Sequence, residues 1–135
     1  MIEAQLHTDD FKVTVTVDGE PFTEYRYGHF VCRPYFYPVL TPDGQRLTRG
    51  YPSETIEGET DDHYHHRGIY VAHGDVNGND LWLEKEGHGC MLQRIDPEVG
   101  EKDGAVFISG IVDWFGCEGE RLLEEARDIR IWSEG

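Results

Sequence analysis

Four of the seven histidines fall between residues 63 and 73, three of them within Asp62-His63-Tyr64-His65-His66-Arg67-Gly68. Imidazoles titrate near neutral pH, so such a group can give and take protons or ligate a metal, and Arg67 beside it can hold a carboxylate or hydroxyl. On an extended chain, side chains two residues apart share a face. His63, His65 and Arg67 are therefore expected on one side, with His66 and Tyr70 on the other. His63 and His65, about 7 Å apart by strand rise, could converge on one divalent metal or one anionic group. The spacing assigns His65, His66 and Arg67 to catalysis, as an acid–base or ligand pair with an anchor, and His63 with His65 to a metal.

His73 has the odd register but lies roughly 26 Å from His65 along an unbroken strand, too far to join that site. It is expected to work with the loop Gly74 to Asp80, where Asp75, Asn77 and Asp80 present oxygens. That loop resembles a calcium loop only weakly, because the later Glu is missing. Further substrate contacts are assigned to Arg33 and to the aromatic run Tyr35-Phe36-Tyr37, in which Tyr35 and Tyr37 share one face. Exposed aromatic faces beside acids and amides are how proteins stack on sugar rings. Glu84 and Glu86 read as a solvated face. Cys32, Cys90 and Cys117 are odd in number and lack a CxxC spacing, so they read as small buried hydrophobes rather than zinc ligands or disulfides.

The elements that must position these groups read as strands. Phe11 to Val17 alternates apolar and polar, Asp18-Gly19 is a hairpin signal, and the return strand covers Phe22 to Tyr27. His29 to Leu40 is aromatic and β-branched but carries Pro34 and Pro38, so it is an edge strand or an interrupted one. Residues 49–62 form a loop, 68–72 a short strand, and 74–80 a second loop. Further strands are expected at 89–95, 105–115 and 128–132, with turns at Asp103-Gly104 and Glu118-Gly119. Residues 121–131 could form an amphipathic helix, but the alternation of Arg127 to Trp132 favours strand. Many short strands with frequent turns predict an all-β fold, an antiparallel β-sandwich or barrel, in a single domain over residues 1–135. The chain stops just after a strand, which suggests an incomplete sandwich whose exposed edge strand could pair with a second copy.

Composition excludes several functions. The chain has 135 residues, 12 Lys+Arg against 27 Asp+Glu, and a formal net charge of −15. Phosphate neutralisation needs clustered basic residues, and three Lys beside nine scattered Arg do not supply them, so nucleic acid is not an expected partner. No run approaches the roughly 18 apolar residues of a membrane helix, and the start lacks the pattern of a signal peptide, so a soluble cytoplasmic protein is expected. The acidic excess would also suit a salt-adapted host.

Five blocks carry a resemblance. Arg33-Pro34-Tyr35-Phe36-Tyr37-Pro38-Val39, Thr41-Pro42-Asp43-Gly44, Thr48-Arg49-Gly50-Tyr51-Pro52, Asp62-His63-Tyr64-His65-His66-Arg67-Gly68 and His73-Gly74-Asp75-Val76-Asn77-Gly78 follow in that order. Together they resemble the bacterial family labelled PmoA-like, or "methane oxygenase PmoA", of unknown function. The resemblance implies a β-sandwich similar to half of the large sandwiches of aldose and galactose mutarotases, and a link to carbohydrate metabolism. It brings no established catalytic residues, and nothing in the chain suits an integral-membrane methane monooxygenase. Two departures stand out: Tyr64 replaces a usual Pro, and family members continue past residue 135.

Three functions follow as expectations. The first is an enzyme acting on a sugar or sugar-derived ketone (an epimerase, hydrolase or lyase), with a divalent metal as its only candidate cofactor. The second is a non-catalytic carbohydrate-binding module. The third is a cupin-like metal site, from the His63-x-His65 spacing, although Ile69 and Val71 stand where a cupin needs Glu.

Overall fold

In the computed structural model, which describes residues 1–134, eight strands and no helix make two antiparallel sheets, as the alternation predicts. The first sheet is a meander of β1 (Ile2–His7), β2 (Lys12–Val17), β3 (Glu20–Arg26) and β4 (Tyr35–Val39) in that order. The β2–β3 hairpin turns on Asp18 and Gly19, with φ of 50° and 83°. Positive φ at both central residues matches the turn to the right-handed twist of its strands.

The second sheet is built on β7 (Ala105–Phe115). Its neighbours on one side are β5 (Cys90–Gln93) and β6 (Glu98–Lys102), which pair with the two halves of β7 as pieces of one interrupted lane. On the other side lies β8 (Arg121–Trp132), paired to β7 over its whole length, so residues 121–131 are strand and not helix. Among the described residues, the far edge of β8 meets no further strand.

The sheets close on each other through a buried core. Ile2, Val13, Val15, Tyr25 and Tyr27 from the first meet Val106 and Ile108 from the second. The two tyrosine hydroxyls have partners across the gap: Tyr25 donates to Gln93 Oε1 at 2.9 Å and Tyr27 to Asp96 Oδ1 at 2.6 Å. A buried hydroxyl without such a partner would cost about 1–3 kcal/mol. A second cluster, Leu81, Met91, Val112 and Trp114, lies under the long connection between β4 and β5. That cluster anchors the loops in which the candidate chemistry resides.

Two strands differ from the sequence expectation by their presence and one by its absence. β1 and β6 are additional. Residues 68–72 form no strand: Ile69 alone bridges to Phe36, with amide-to-carbonyl distances of 2.8 and 3.1 Å. The prolines explain this. In an antiparallel ladder the next hydrogen-bonded pairs would be 34 with 71 and 38 with 67. Pro34 and Pro38 have no N–H to donate, so pairing stops after one rung on either side. Among the described residues, no helix is long and apolar enough to cross a membrane.

Candidate functional site

The histidine segment is a turn and not an extended run. His63 has φ of 47°, and the His66 amide donates back to the His63 carbonyl at 2.9 Å. This overturns the alternation expected for the segment. His63, His65 and His66 gather on one side, with ring centroids 5.8 Å (63–65), 5.3 Å (63–66) and 4.3 Å (65–66) apart. Arg67 instead points away into a buried ion pair.

Three tethers hold the turn. Arg49 Nη2 donates to the Asp62 and His63 carbonyls at 2.7 and 2.9 Å, and Nη1 to Asp62 Oδ1 at 3.0 Å. Arg67 grips Glu84 with both Nε (2.9 Å) and Nη2 (2.6 Å), and the Tyr64 hydroxyl donates to the Glu84 carbonyl. The Ile69–Phe36 rung fastens the far end to β4.

An aromatic face completes the patch. The Trp82 ring lies 6.0 Å from His65, 5.8 Å from His66 and 5.6 Å from Tyr70, and Trp82 is 39% exposed. Behind Tyr70, the Arg33 guanidinium sits 4.8 Å from the ring centroid and donates to the Trp82 carbonyl at 2.8 Å. Arg33 is 1% exposed, and its Nε and Nη1 have no hydrogen-bond partner among the described residues.

Electrostatics divide the trio. His65 is 6% exposed, whereas His63 and His66 face solvent. Burial, then the charges of His66, His63 and Arg33, hold His65 below the usual imidazole range. It is therefore neutral near pH 7 and ready to accept a proton or a metal. His63 Nδ1 pairs with Asp62 Oδ2 at 2.9 Å, which orients its ring. Among the described residues the rings of His65 and His66 take no protein hydrogen bond.

Several assigned residues do other work. Tyr35 and Tyr37 are buried and cannot form an exposed stacking face; the tyrosine that joins the patch is Tyr70, with Trp82. Tyr37 donates to Glu54, and the Arg26 guanidinium lies 5.2 Å from its ring centroid. His73 Nδ1 and the Asp75 carbonyl are 3.0 Å apart, and Asp75 Oδ1 accepts from the Gly78 amide at 2.8 Å. Asn77 and Gly78, with φ of 51° and 82°, form the tip of that turn, so Asp75 and Asn77 shape their own loop. Arg67 is committed to Glu84 and is not a free anchor. Glu84 is no solvated face: its side chain is 9% exposed, between Arg67 and Arg33 (Nε–Oε1 3.7 Å).

The cysteines are free and Cys32 is buried, as expected, but Cys117 is exposed. Cys32 and Cys90 come together with His88, their ligand atoms all within 4.8 Å of one another. Hydrogen bonding between the two thiols raises Cys32 and brings Cys90 down to about 7. His88-x-Cys90, two groups on one face at the entrance of a strand, was the available signal. The remote Cys32 was not legible from spacing.

Neither the curated proteins nor the solved structures contain a match to this chain. A family model described as "Family of unknown function (DUF6807)" covers residues 12–135, and the chain belongs to that family.

Proposed function

We propose that the patch of His63, His65, His66, Tyr70 and Trp82 binds a sugar-type small molecule and moves a proton on it. The observation that carries this reading is the pairing of a buried, neutral His65 with an exposed His66, ring centroids 4.3 Å apart, against the open face of Trp82. One substrate carbon or oxygen can reach both rings. The indole and Tyr70 offer stacking surface to a pyranose, and the ring nitrogens of His65 and His66, unengaged among the described residues, offer hydrogen bonds to its hydroxyls. His65 accepts a proton from a carbon next to a carbonyl, and His66 returns one. The resemblance of the five sequence blocks to a carbohydrate-associated family supports the same substrate class.

The test is deuterium exchange. A panel of aldoses, ketoses and uronic acids is incubated with the protein in D2O and read by proton NMR, with binding followed by Trp fluorescence. Wild-type protein is expected to incorporate deuterium at one position of a bound sugar. His65→Asn should slow that exchange by about 100-fold or more while leaving binding within a few-fold. Trp82→Ala should weaken binding itself. The exchange rate should fall on the acid side of the profile at a pH below the ordinary imidazole range, because the base form of His65 is required and its pKa is lowered. Saturable binding without exchange would make the patch a carbohydrate-binding module. Absence of saturable binding across the panel would overturn the reading.

A further inference from the structure

We propose that Cys32, His88 and Cys90 form a zinc-type metal site. Two sulfurs and one imidazole nitrogen are the borderline-soft donor set that Zn2+ selects, and their ligand atoms lie within 4.8 Å of one another. Tetrahedral zinc with bonds of about 2.3 Å to sulfur needs sulfurs about 3.8 Å apart, so closure requires a movement of at most about 1 Å. The backbone already holds the two cysteines together, because the Met91 amide donates to the Cys32 carbonyl at 2.7 Å. Gly89, between the other two donors, is pinned: a Cβ there would lie 2.3 Å from the Phe115 carbonyl oxygen, and its amide donates to the Asp80 carbonyl at 2.9 Å.

His88 is in the tautomer a metal needs. Its Nδ1 donates to the Gly89 carbonyl at 2.7 Å, leaving the lone pair on Nε2. Metal-bound histidines commonly make this outer hydrogen bond, which fixes the ring and raises its basicity. Charge balance agrees with burial. Two thiolates, one neutral imidazole and Zn2+ sum to zero, so a site that includes the buried Cys32 holds no net charge. Arg33 Nη2, 3.9 Å from Cys32 Sγ, adds a donor beside the sulfur. Three protein donors leave a fourth tetrahedral position for water or an exogenous ligand.

The site is separate from the histidine turn, and it has a structural consequence. Cys32 lies in the connection between β3 and β4, and Cys90 opens β5. A metal joining them ties the two sheets together at the base of the long connection that carries the histidine turn, Glu84 and Trp82.

Cobalt titration of the reduced protein under anaerobic conditions tests this. One equivalent of Co2+ is expected to give thiolate-to-cobalt charge-transfer absorption with the intense visible bands of a tetrahedral ion. Zn2+ should displace it and raise the melting temperature. Cys90→Ser and His88→Asn should weaken cobalt binding by at least about 100-fold, whereas Cys117→Ser and His65→Asn should leave it unchanged. If Cys90→Ser fails to fold, the wild-type spectrum decides alone, since an octahedral nitrogen–oxygen spectrum overturns the site. Cobalt uptake that depends on His63 or His65 also overturns it, as does a Cys32–Cys90 disulfide that resists reduction in the folded protein. Either result leaves the sugar exchange assay untouched, so the two readings fail independently.

Discussion

Glu84→Gln is expected to remove about 3–5 kcal/mol of folding free energy, a large share of what a domain of this size possesses. The carboxylate sits between Arg67, which it receives through two short hydrogen bonds, and Arg33, whose side chain is 1% exposed. Neutralising it leaves two guanidinium groups with no counter-charge in a place water reaches poorly. The cost is then the desolvation of those cations, which exceeds the modest net contribution of the intact pair. With a urea m-value of about 2 kcal/mol/M, the unfolding midpoint should fall by about 2 M. Arg67→Met in the Glu84→Gln background should recover part of that loss, because one stranded cation is gone while Arg33 remains. A shift equivalent to less than about 1 kcal/mol would mean that the network is hydrated and behaves as a surface pair.

The same carboxylate sets a pH signature. Burial works against its charge, but hydrogen bonding and charge from Arg67, with help from Cys32 and Arg33, outweigh burial and hold Glu84 below its ordinary value of 4.5. A group whose folded pKa is depressed contributes its stabilisation in full above the unfolded value. It loses that stabilisation as pH falls through the folded one. The wild-type chain should therefore lose stability as pH drops below about 4.5, and Glu84→Gln should lack that part of the slope.

Much of the fold could be read from the chain because a half-buried strand leaves a period-two imprint. Lys12 to Val17 shows it plainly, and Asp18-Gly19 names its own turn. Residues 121–132 carry it too, with Glu125, Arg127, Ile129 and Ile131 on the less exposed side. β1 has the same pattern in Ile2, Ala4 and Leu6, but so short a run is easily passed over. β6, Glu98–Lys102, has one aliphatic side chain, Val99, and exists because β7 offers it a ladder. That is a tertiary cause with no local signature.

The candidate site was legible by residue type and not by arrangement. His63, His65 and His66 do come together, but only because the chain turns at a positive φ, which an alternation argument cannot represent. Arg67 and Glu84 could not be matched without knowing that residues 64–67 fold back on 82–84. Cys32 and Cys90, separated by most of the chain's loops, meet through a backbone bond between Cys32 and Met91. The prolines were the opposite case: Pro34 and Pro38 alone foretold an interrupted ladder, and the pairing of β4 with residues around Ile69 stops after one rung.

Gly68→Ala is expected to detach the histidine turn from β4 while leaving the sandwich core closed. Gly68 has φ of 71°, and a Cβ there would lie 2.1 Å from the Phe36 carbonyl oxygen, the acceptor for the Ile69 amide. An L-residue in that conformation costs about 1–2 kcal/mol. The clash adds to it, since the oxygen belongs to a strand and can retreat only by giving up the Ile69–Phe36 rung, two hydrogen bonds each worth about 0.5–1.5 kcal/mol. A total of about 2–5 kcal/mol exceeds what a peripheral turn can hold, so the turn should open locally before the protein unfolds. Hydrogen exchange should show lost protection at the Ile69 and Phe36 amides with little change at Val13 and Val106, which lie in the core between the sheets. Sugar binding should fall with it, because His65 and His66 no longer face Trp82. Gly19→Ala is the control: φ there is 83°, but nothing lies within 4 Å of the added carbon, so only the conformational cost of about 1–2 kcal/mol applies. If Gly68→Ala proves no worse than Gly19→Ala, and both amides keep their protection, the single rung to β4 is not what positions the histidines, and the Arg49 and Glu84 tethers must suffice.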